Sequence, residues 1–277
     1  MEHCLEIGET RKYPEGEFRE RLFTRRHRWI AYLSQRTQGL TYTSRHGLTR
    51  GLRRKGGLGF VPVRSPESSE ETFLRGLDFS KSTVYDIGGF QGLMTLFFAK
   101  TARQVITYEA NPANALRIHE NAKLNRFENV LVRNMAVGAN DGILQLQYDP
   151  LMSGAASGDP DIAGWIARSD VDAQHFSVAM TSLDEDVERL GLMPPDFVKI
   201  DIEGMELEAL KGMQRLMHAN TPALYIELHG TTEEHKLANA RETIGFVRSN
   251  GYDVYDVERA APVTTVTGRE SRIYCIA

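Results

Sequence analysis

The stretch "VYDIGGFQGLMTLFFAK" (84–100) decides the fold. Its first residues are apolar and typical of a buried strand, its glycines interrupt that strand, and the apolar residues that follow indicate a helix. An acid, Asp86, lies near the end of the strand, where the turn of Gly88, Gly89 and Gly92 begins. Glycines between a strand and a helix leave backbone N–H groups accessible at the start of the helix. The stretch therefore predicts a strand-turn-helix unit with a ligand-binding turn.

Short apolar segments alternate with helical patterns from Ser82 onwards. This alternation predicts an α/β fold with a Rossmann-like, mostly parallel seven-stranded sheet and helices on both faces. We expect the strands at 82–87, 104–109, 129–134, 196–202, 222–228, 252–257 and 272–276. We expect the helices near 90–101, 111–125, 184–191, 205–218 and 234–250. The alternating segment "GILQLQYDP" (142–150) predicts an extra strand or hairpin.

The charges of the 277-residue chain are unevenly distributed, although its formal net charge is only -4. Residues 1–64 contain 14 Lys or Arg and six Asp or Glu, whereas the remainder contains 19 and 31. Residues 15–38 predict an amphipathic basic helix, and residues 39–70 predict a linker or mobile cover. We therefore expect a basic N-terminal extension, 1–70, followed by one large domain, 71–277. The extension either packs on the acidic domain or contacts an anionic partner such as a phosphate-bearing substrate, nucleic acid or a membrane surface.

Cysteine usage and hydropathy bear on the cellular location. Cys4 and Cys275 lie at opposite ends of the chain and show neither metal-ligand spacing nor a disulfide pattern. The charged first thirty residues do not resemble a signal peptide, and no segment is apolar enough over its length to span a bilayer. We therefore expect a cytoplasmic protein without a metal motif or a transmembrane segment. A homo-oligomer is compatible with the sequence.

Two acids near the glycine turn indicate the ligand. Glu109 ends the second predicted strand, 21 residues after Gly88. An acid at this position in a βαβ unit can accept hydrogen bonds from both hydroxyls of a ribose. A dinucleotide fold would place a glycine where Asp86 stands, and a carboxylate there repels a diphosphate and suits a cationic ligand. The pair therefore favours a nucleoside that carries a cation, S-adenosylmethionine, over the cofactor of an NAD-dependent oxidoreductase, which remains an alternative.

A row of charged residues follows one face of a predicted central strand. The segment "FVKIDIEG" (197–204) places Lys199, Asp201 and Glu203 on the same side, because side chains alternate along a strand. Central strands of a parallel sheet are normally apolar on both faces. A satisfied ion-pair network within the sheet would explain this row structurally, and a ligand site at the carboxyl edge of the sheet would explain it functionally.

The next predicted strand, "LYIELHG" (224–230), carries Glu227 and His229 in the same way. Neighbouring strands would bring the two rows together, which predicts an acceptor-binding site. An imidazole with its ordinary pKa of about 6.5 is well matched to removing a proton from a hydroxyl at neutral pH. We expect His229 to be the base and Asp201 to orient the acceptor.

The chain resembles the FkbM-type S-adenosylmethionine-dependent methyltransferase family. The matching stretches cover about residues 82–230 and are, in order, "VYDIGGFQG", "TYEANP", "NMAVGANDG", "SGAASG", "TSLDE", "DFVKIDIEGMELEALKG" and "YIELHG". The resemblance implies the class I methyltransferase fold, S-adenosylmethionine as cofactor, and O-methylation of a hydroxyl on a sugar, glycan, lipid or natural product. A nucleic-acid methyltransferase that uses the basic extension is the alternative, although the chain lacks an N-P-P-Y-type stretch.

The resemblance and the strand patterns together give the expected site. The residues expected around the cofactor are Asp86, Gly88, Gly89, Gly92, Glu109, Asn111, Asn134, Ala136, Val137 and Asp201. The residues expected around the small-molecule or glycan acceptor are Lys199, Glu203, Glu227 and His229.

Overall fold

The structure is a computed structural model that describes residues 36–56, 67–148, 156–158 and 174–277. The predicted basic helix at 15–38 falls almost entirely outside these residues. Within them, no helix is both long enough and apolar enough to cross a membrane.

An eight-stranded sheet forms the centre of the molecule, and its order is β13-β12-β14-β11-β10-β3-β4-β5. Its strands are β3 (Thr83–Ile87), β4 (Gln104–Tyr108), β5 (Val130–Arg133), β10 (Phe197–Ile200), β11 (Ala223–Glu227), β12 (Asp253–Asp256), β13 (Ala261–Pro262) and β14 (Arg272–Ile276). Strands β5, β4, β3, β10 and β11 are parallel, and β14 pairs antiparallel with β11. The mostly parallel α/β sheet is thus confirmed, with one strand more than predicted. The additional strand, β13, has two residues and is too short to leave a periodic pattern.

Helices cover both faces of the sheet. They are α1 (Ser69–Arg75), α2 (Leu93–Ala99), α3 (Pro112–Leu124), α4 (Leu183–Leu190), α5 (Glu206–Lys211), α6 (Gln214–Asn220) and α7 (Glu233–Ser249). The helix expected at 205–218 is divided into α5 and α6 at Gly212. A Cβ atom on Gly212 would lie 2.0 Å from the carbonyl oxygen of Gly138, so a neighbouring chain segment lies directly against this break.

Alternation of side chains along the strands produces two apolar cores. Tyr85, Ile106 and Val198 face one core, which α5 and α7 help to close. Val84 and Val105 face the other core, with the aromatic residues of α2. Every residue of β3 is buried, Asp86 included. A buried acid therefore lies in a central strand of the sheet, and its negative charge needs a nearby cation or hydrogen-bond donors.

A second sheet of four strands, in the order β6-β9-β7-β8, lies beyond β5 in the chain. Its strands are β6 (Ala136–Val137), β7 (Gly142–Tyr148), β8 (Ala156–Ser157) and β9 (Gln174–Thr181). Strand β7 is the extra strand expected at 142–150. It pairs antiparallel with β9, and Leu146 and Val178 form a small core of their own.

A β-hairpin occupies part of the segment expected to be a linker. Strands β1 (Thr41–Thr43) and β2 (Arg53–Lys55) pair antiparallel, and β2 is tied to α3. The backbone N–H of Lys55 donates to Asn121 Oδ1 at 2.6 Å, and that of Arg53 donates to Asn125 Oδ1 at 2.8 Å. The described residues of this segment thus form a hairpin whose backbone is satisfied by side-chain amides 66 to 72 residues away. The linker or mobile cover stays a prediction.

Helix α1 begins with a capping box, in which Ser68 accepts from the backbone of Glu71 and the Glu71 side chain accepts from that of Ser68. Its Leu74 is fully buried in the core of the large domain. The predicted domain boundary between residues 70 and 71 falls within this helix. The division into an extension and one domain stays a prediction.

Candidate active site

A cavity of about 320 Å³ opens at the carboxyl ends of β3, β4, β10 and β11. This is the edge where open α/β sheets bind ligands, and the volume falls within the range of small-molecule sites. Its apolar lining includes Met135, Ala136, Val137, Leu144 and Leu146. Its polar lining includes Glu109, Asn114, Asp201, Glu203, Glu227 and His229.

The glycine turn forms one wall of the cavity. Gly88 has φ +83°, and a Cβ atom there would lie 1.9 Å from the carbonyl oxygen of Asp201. Only glycine permits both this backbone conformation and this close approach. Phe90 follows with φ +49°, and its backbone N–H donates to Glu109 Oε2 at 2.7 Å. Gly88 and Phe90 line the cavity, so the turn brings the ends of β3 and β10 together at the ligand edge.

Gly89 and Gly92 belong to the same turn but do not line the cavity. A Cβ atom on Gly89 would lie 2.3 Å from Thr107 Oγ1 and 2.8 Å from Ile118 Cδ1. Gly92 precedes α2 and lies against Ile118. These two glycines therefore let the turn pack closely on α3.

Glu109 is almost completely buried at the cavity wall. Its two carboxylate oxygens accept from the backbone N–H groups of Phe90, at 2.7 Å, and Asn111, at 2.8 Å. Burial raises the pKa of Glu109 to about 7. The Asn111 side chain caps α3 by accepting from Ala113, and the Asn134 amide donates to the carbonyl of Glu109 at 2.8 Å. Asn111 and Asn134 thus fix the backbone around Glu109 by hydrogen bonds, although neither side chain lines the cavity.

Asp86 lies beneath the turn, where it is fully buried and does not line the cavity. It accepts from Thr95 Oγ1 at 2.6 Å. Lys199, its direct neighbour in the parallel pair β3·β10, places Nζ 3.4 Å from Asp86 Oδ1 and 3.0 Å from Asp201 Oδ2. The same Nζ donates to the carbonyl of Gly88 at 3.0 Å. Lys199 therefore compensates the buried acid and fastens the turn to the strand beside it.

Burial acts against the charged form of Lys199, but the carboxylates of Asp201 and Asp86 raise its pKa. Burial likewise acts against the ionised form of Asp201, but Lys199 and His229 lower its pKa. Lys199 is cationic and Asp201 is anionic at neutral pH. Asp201 thus presents a fixed negative charge to the cavity.

His229 lies in a cluster of carboxylates at the far wall. Its Nδ1 is 2.8 Å from Glu206 Oε1, and its Nε2 is 3.5 Å from Asp201 Oδ1 and 3.9 Å from Glu203 Oε2. An ionised carboxylate has no hydrogen to donate, so Nδ1–H donates to Glu206. Nε2 is then the nitrogen beside the cavity acids.

Glu206 was not expected from the sequence. It is fully buried at the start of α5 and accepts from the backbone N–H of Gly204 at 2.9 Å and from Asn239 Nδ2 at 3.0 Å. Asn239 also donates to the carbonyl of His229. The charges that continue past β10 in "DIEGMELE" (201–208) were the available signal. The pairing of Glu206 with a histidine 23 residues away leaves no local pattern in the sequence.

Burial alone would lower the pKa of His229, but the hydrogen bond to Glu206 and the charge of Glu203 raise it to about 9. The free site therefore holds an imidazolium at neutral pH. This differs from the sequence-based expectation of an ordinary value, because three acids lie within 4 Å of the ring nitrogens of one histidine.

Glu203 and Glu227 complete the acidic wall. Glu203 has φ +54°, an uncommon backbone conformation for a residue with a side chain. Burial raises the pKa of Glu203 to about 7. Glu227 Oε1 lies 3.4 Å from Arg272 Nη2, and Arg272 Nη1 pairs with Glu258 at 2.8 Å. Burial and then the charge of Asp201 raise the pKa of Glu227.

The structure brings eight of the expected residues to the cavity wall. They are Gly88, Glu109, Ala136, Val137, Asp201, Glu203, Glu227 and His229. Six others support that wall from behind: Asp86, Gly89, Gly92, Asn111, Asn134 and Lys199. In the part of the chain that the structure describes, no group of three or more His, Cys, Asp or Glu side chains is arranged to hold a metal ion.

The fold and the cavity define the class of protein. A mostly parallel sheet with an antiparallel β14 beside β11, and a ligand-sized cavity at the strand ends, is the architecture of class I S-adenosylmethionine-dependent methyltransferases. The family model of the methyltransferase FkbM domain matches residues 86–254. The chain belongs to this family, and its cofactor is S-adenosylmethionine. The family match favours a methyltransferase over the NAD-dependent alternative.

Several solved structures are similar to this chain. Methyltransferase FkbM from Methylobacillus flagellatus KT is 19% identical with a TM-score of 0.48, over 77% of this chain and 48% of that one. The present chain thus spans about half the length of that protein. An O-methyltransferase from Bacillus cereus in complex with SAH is 12% identical with a TM-score of 0.45, over 78% and 82% of the two chains.

Precorrin-6y C5,15-methyltransferase from Geobacter metallireducens GS-15 is 14% identical with a TM-score of 0.42, over 77% and 88%. A comparison with curated protein sequences gave no match.

Proposed function

We propose that this chain transfers a methyl group to a hydroxyl of a small-molecule or glycan acceptor. The observation that carries this proposal is the His229–Glu206 pair, whose remaining ring nitrogen lies within 4 Å of two cavity carboxylates. A histidine held on one side by a buried acid, with its other nitrogen directed to a ligand cavity, is suited to removing a proton from a hydroxyl.

The residues around the cavity fit the cofactor. Each Glu109 oxygen accepts one backbone hydrogen bond, and the Asn114 side chain donates a further one to this carboxylate. The lone pair that is left can accept from a ribose hydroxyl. Ala136 and Val137 offer an apolar surface for the adenine. The cationic sulfonium suits a cavity lined by four acids, of which Asp201 is anionic at neutral pH, and the cofactor supplies an activated methyl group there. Asp86 and the glycines support this binding site by shaping the turn.

The acidic wall binds and orients the acceptor. Asp201 is held in place by Lys199 and accepts a hydrogen bond from the acceptor hydroxyl. Glu203 and Glu227 offer further hydrogen-bond acceptors, which suits a ligand with several hydroxyls, such as a sugar. His229 takes the hydroxyl proton at Nε2 once the imidazole is neutral, and Glu206 stabilises the resulting imidazolium.

A nucleic-acid acceptor is a second candidate, and the charge of residues 36–56 favours it. This described segment contains five Arg and one Lys and no Asp or Glu. Affinity for RNA or DNA that falls steeply with salt would support a nucleic-acid acceptor. Affinity that is absent at low salt would exclude it.

The proposal is tested by incubating the protein with isotopically labelled S-adenosylmethionine and a panel of hydroxylated acceptors, with products detected by mass spectrometry. With the acceptor so found, His229→Gln should lower turnover by roughly 10²- to 10⁴-fold while calorimetric affinity for S-adenosylhomocysteine is retained. The matched control is His218→Gln, an exposed histidine on α6. Full turnover in the His229 variant would contradict its role as the base, and methylation at nitrogen or carbon would contradict the hydroxyl acceptor.

A further inference from the structure

The hairpin outside the family-matched segment buries a cation. Arg54, on β2 directly opposite Tyr42, is only 1% exposed. Its Nε and Nη1 atoms are buried and have no hydrogen-bond partner among the described residues. A buried guanidinium without a carboxylate is costly to fold, and an anionic ligand beside it would offset that cost.

A buried hydrogen-bond acceptor without a donor lies in the same region as the unpaired donors of Arg54. Gln91 is 3% exposed, and its Oε1 is a buried acceptor that finds no donor in the described part of the chain. A Cβ atom placed on Gly56 would lie 3.0 Å from Gln91 Oε1 and 3.8 Å from the hydroxyl oxygen of Tyr42. The end of β2 and the side chain of Gln91 are therefore in contact distance of each other.

The hairpin is tied to the glycine turn through Asn121. Asn121 Nδ2 donates both to the carbonyl of Lys55 and to the carbonyl of Gln91, at 3.1 Å each. Phe90, the residue before Gln91, lines the cavity. The strand that carries Arg54 and the turn that carries Gln91 thus meet on Asn121, beside one end of the site.

A ligand that satisfies both groups needs an anion and a cationic N–H donor close together. An α-amino acid has this arrangement, with its carboxylate and ammonium on one carbon atom. Among the described residues that line the cavity, His229 is the sole basic side chain, and it is bonded to Glu206. The cavity lining therefore leaves the carboxylate of an amino-acid ligand without a cation of its own.

We propose that Arg54 binds the carboxylate, and Gln91 the ammonium group, of the methionyl end of the cofactor. The basic N-terminal segment then completes a cofactor site whose other residues lie in the family-matched part of the chain. This inference rests on the cofactor-binding cavity described above. It assigns a ligand contact to a hairpin in a segment for which the sequence predicts a linker or mobile cover.

The test compares two ligands that differ by the amino-acid end. S-Adenosylhomocysteine carries it, and 5′-methylthioadenosine lacks it. Calorimetry should show that Arg54→Met weakens S-adenosylhomocysteine binding by about 10- to 100-fold and leaves 5′-methylthioadenosine binding unchanged. Arg54→Lys should retain part of the affinity. The matched control is Arg53→Met, which removes the same charge from the exposed neighbouring position of the strand and should change neither affinity.

Thermal unfolding of the ligand-free variant separates binding from folding. Since Arg54 has unpaired nitrogens in the free protein, Arg54→Met should melt no lower than the parent protein. A variant that melts lower and loses both ligands equally would overturn the proposal, as would one that binds S-adenosylhomocysteine with full affinity. If the parent protein binds neither ligand, the cofactor cavity itself is refuted, and that outcome is distinct from the failure of Arg54 alone.

Discussion

Replacing Glu206 by glutamine tests whether the buried carboxylate controls the charge of His229. Glu206 is the nearest of the acids around the imidazole, at 2.8 Å, and it is fully buried. The variant keeps the shape of the side chain and removes its negative charge. We expect the pKa of His229 to fall, because the hydrogen bond and charge of Glu206 help to raise it.

The size of the effect follows from the environment of the ring. The pKa of His229 is raised from 6.5 to about 9, which corresponds to about 3 kcal/mol in favour of the imidazolium. A single opposite charge at hydrogen-bond distance changes a pKa by roughly 1 to 3. Asp201 and Glu203 remain in the variant, at 3.5 Å and 3.9 Å. They should keep the pKa of His229 above that of a histidine buried without acids.

The measurement is an NMR titration of the His229 ring proton, assigned with His229→Gln. Glu208→Gln is the matched control, because Glu208 lies on the same helix but is only partly buried and is paired with Lys211. In turnover assays the rise of kcat/KM with pH should move to lower pH in the Glu206 variant, with a lower plateau. A His229 midpoint that stays near 9 or moves upward would refute the control of His229 by Glu206.

Three further predictions concern stability. Lys199→Met leaves the Asp86 carboxylate buried without its cation, so urea denaturation should show a loss of about 3–5 kcal/mol in the free energy of unfolding. The double variant with Asp86→Asn should recover most of that loss, and a fully stable single variant would contradict the pairing. Gly88→Ala should cost roughly 2 kcal/mol or more in the same assay, since φ is +83° and the new Cβ meets a backbone oxygen at 1.9 Å; an unchanged midpoint would show that the turn relaxes freely. Stability should also fall as pH rises, because both His229 and Glu109 bind their protons more tightly when folded. The Glu109 contribution is lost as pH rises from 4.5 through about 7, and the His229 contribution from 6.5 through about 9. Urea midpoints that are equal at about pH 5 and about pH 9 would contradict these shifts.

Much of the fold could be predicted because its signals are local. Seven strands of the large sheet are short apolar runs, and the glycine turn at 88–92 ends one of them. Each of these signals lies within a few consecutive residues. The acids at the strand ends, such as Glu109 and Asp201, were visible because a charge interrupts an otherwise apolar strand. Their arrival at one cavity then followed from the parallel topology, in which neighbouring strands end at the same edge.

The sequence alone determined the class of fold, the ligand edge and most of the acidic wall, since these depend on side-chain alternation and chain order. The tertiary structure decided which partner each charge has. Glu206 meets His229 across 23 residues and Asn121 meets the hairpin across 66. Arg54 is buried, and its Nε and Nη1 have no hydrogen-bond partner among the described residues. Protonation states and ligand contacts depend on burial and on distances between remote segments, and packing fixes these quantities only when the chain is folded.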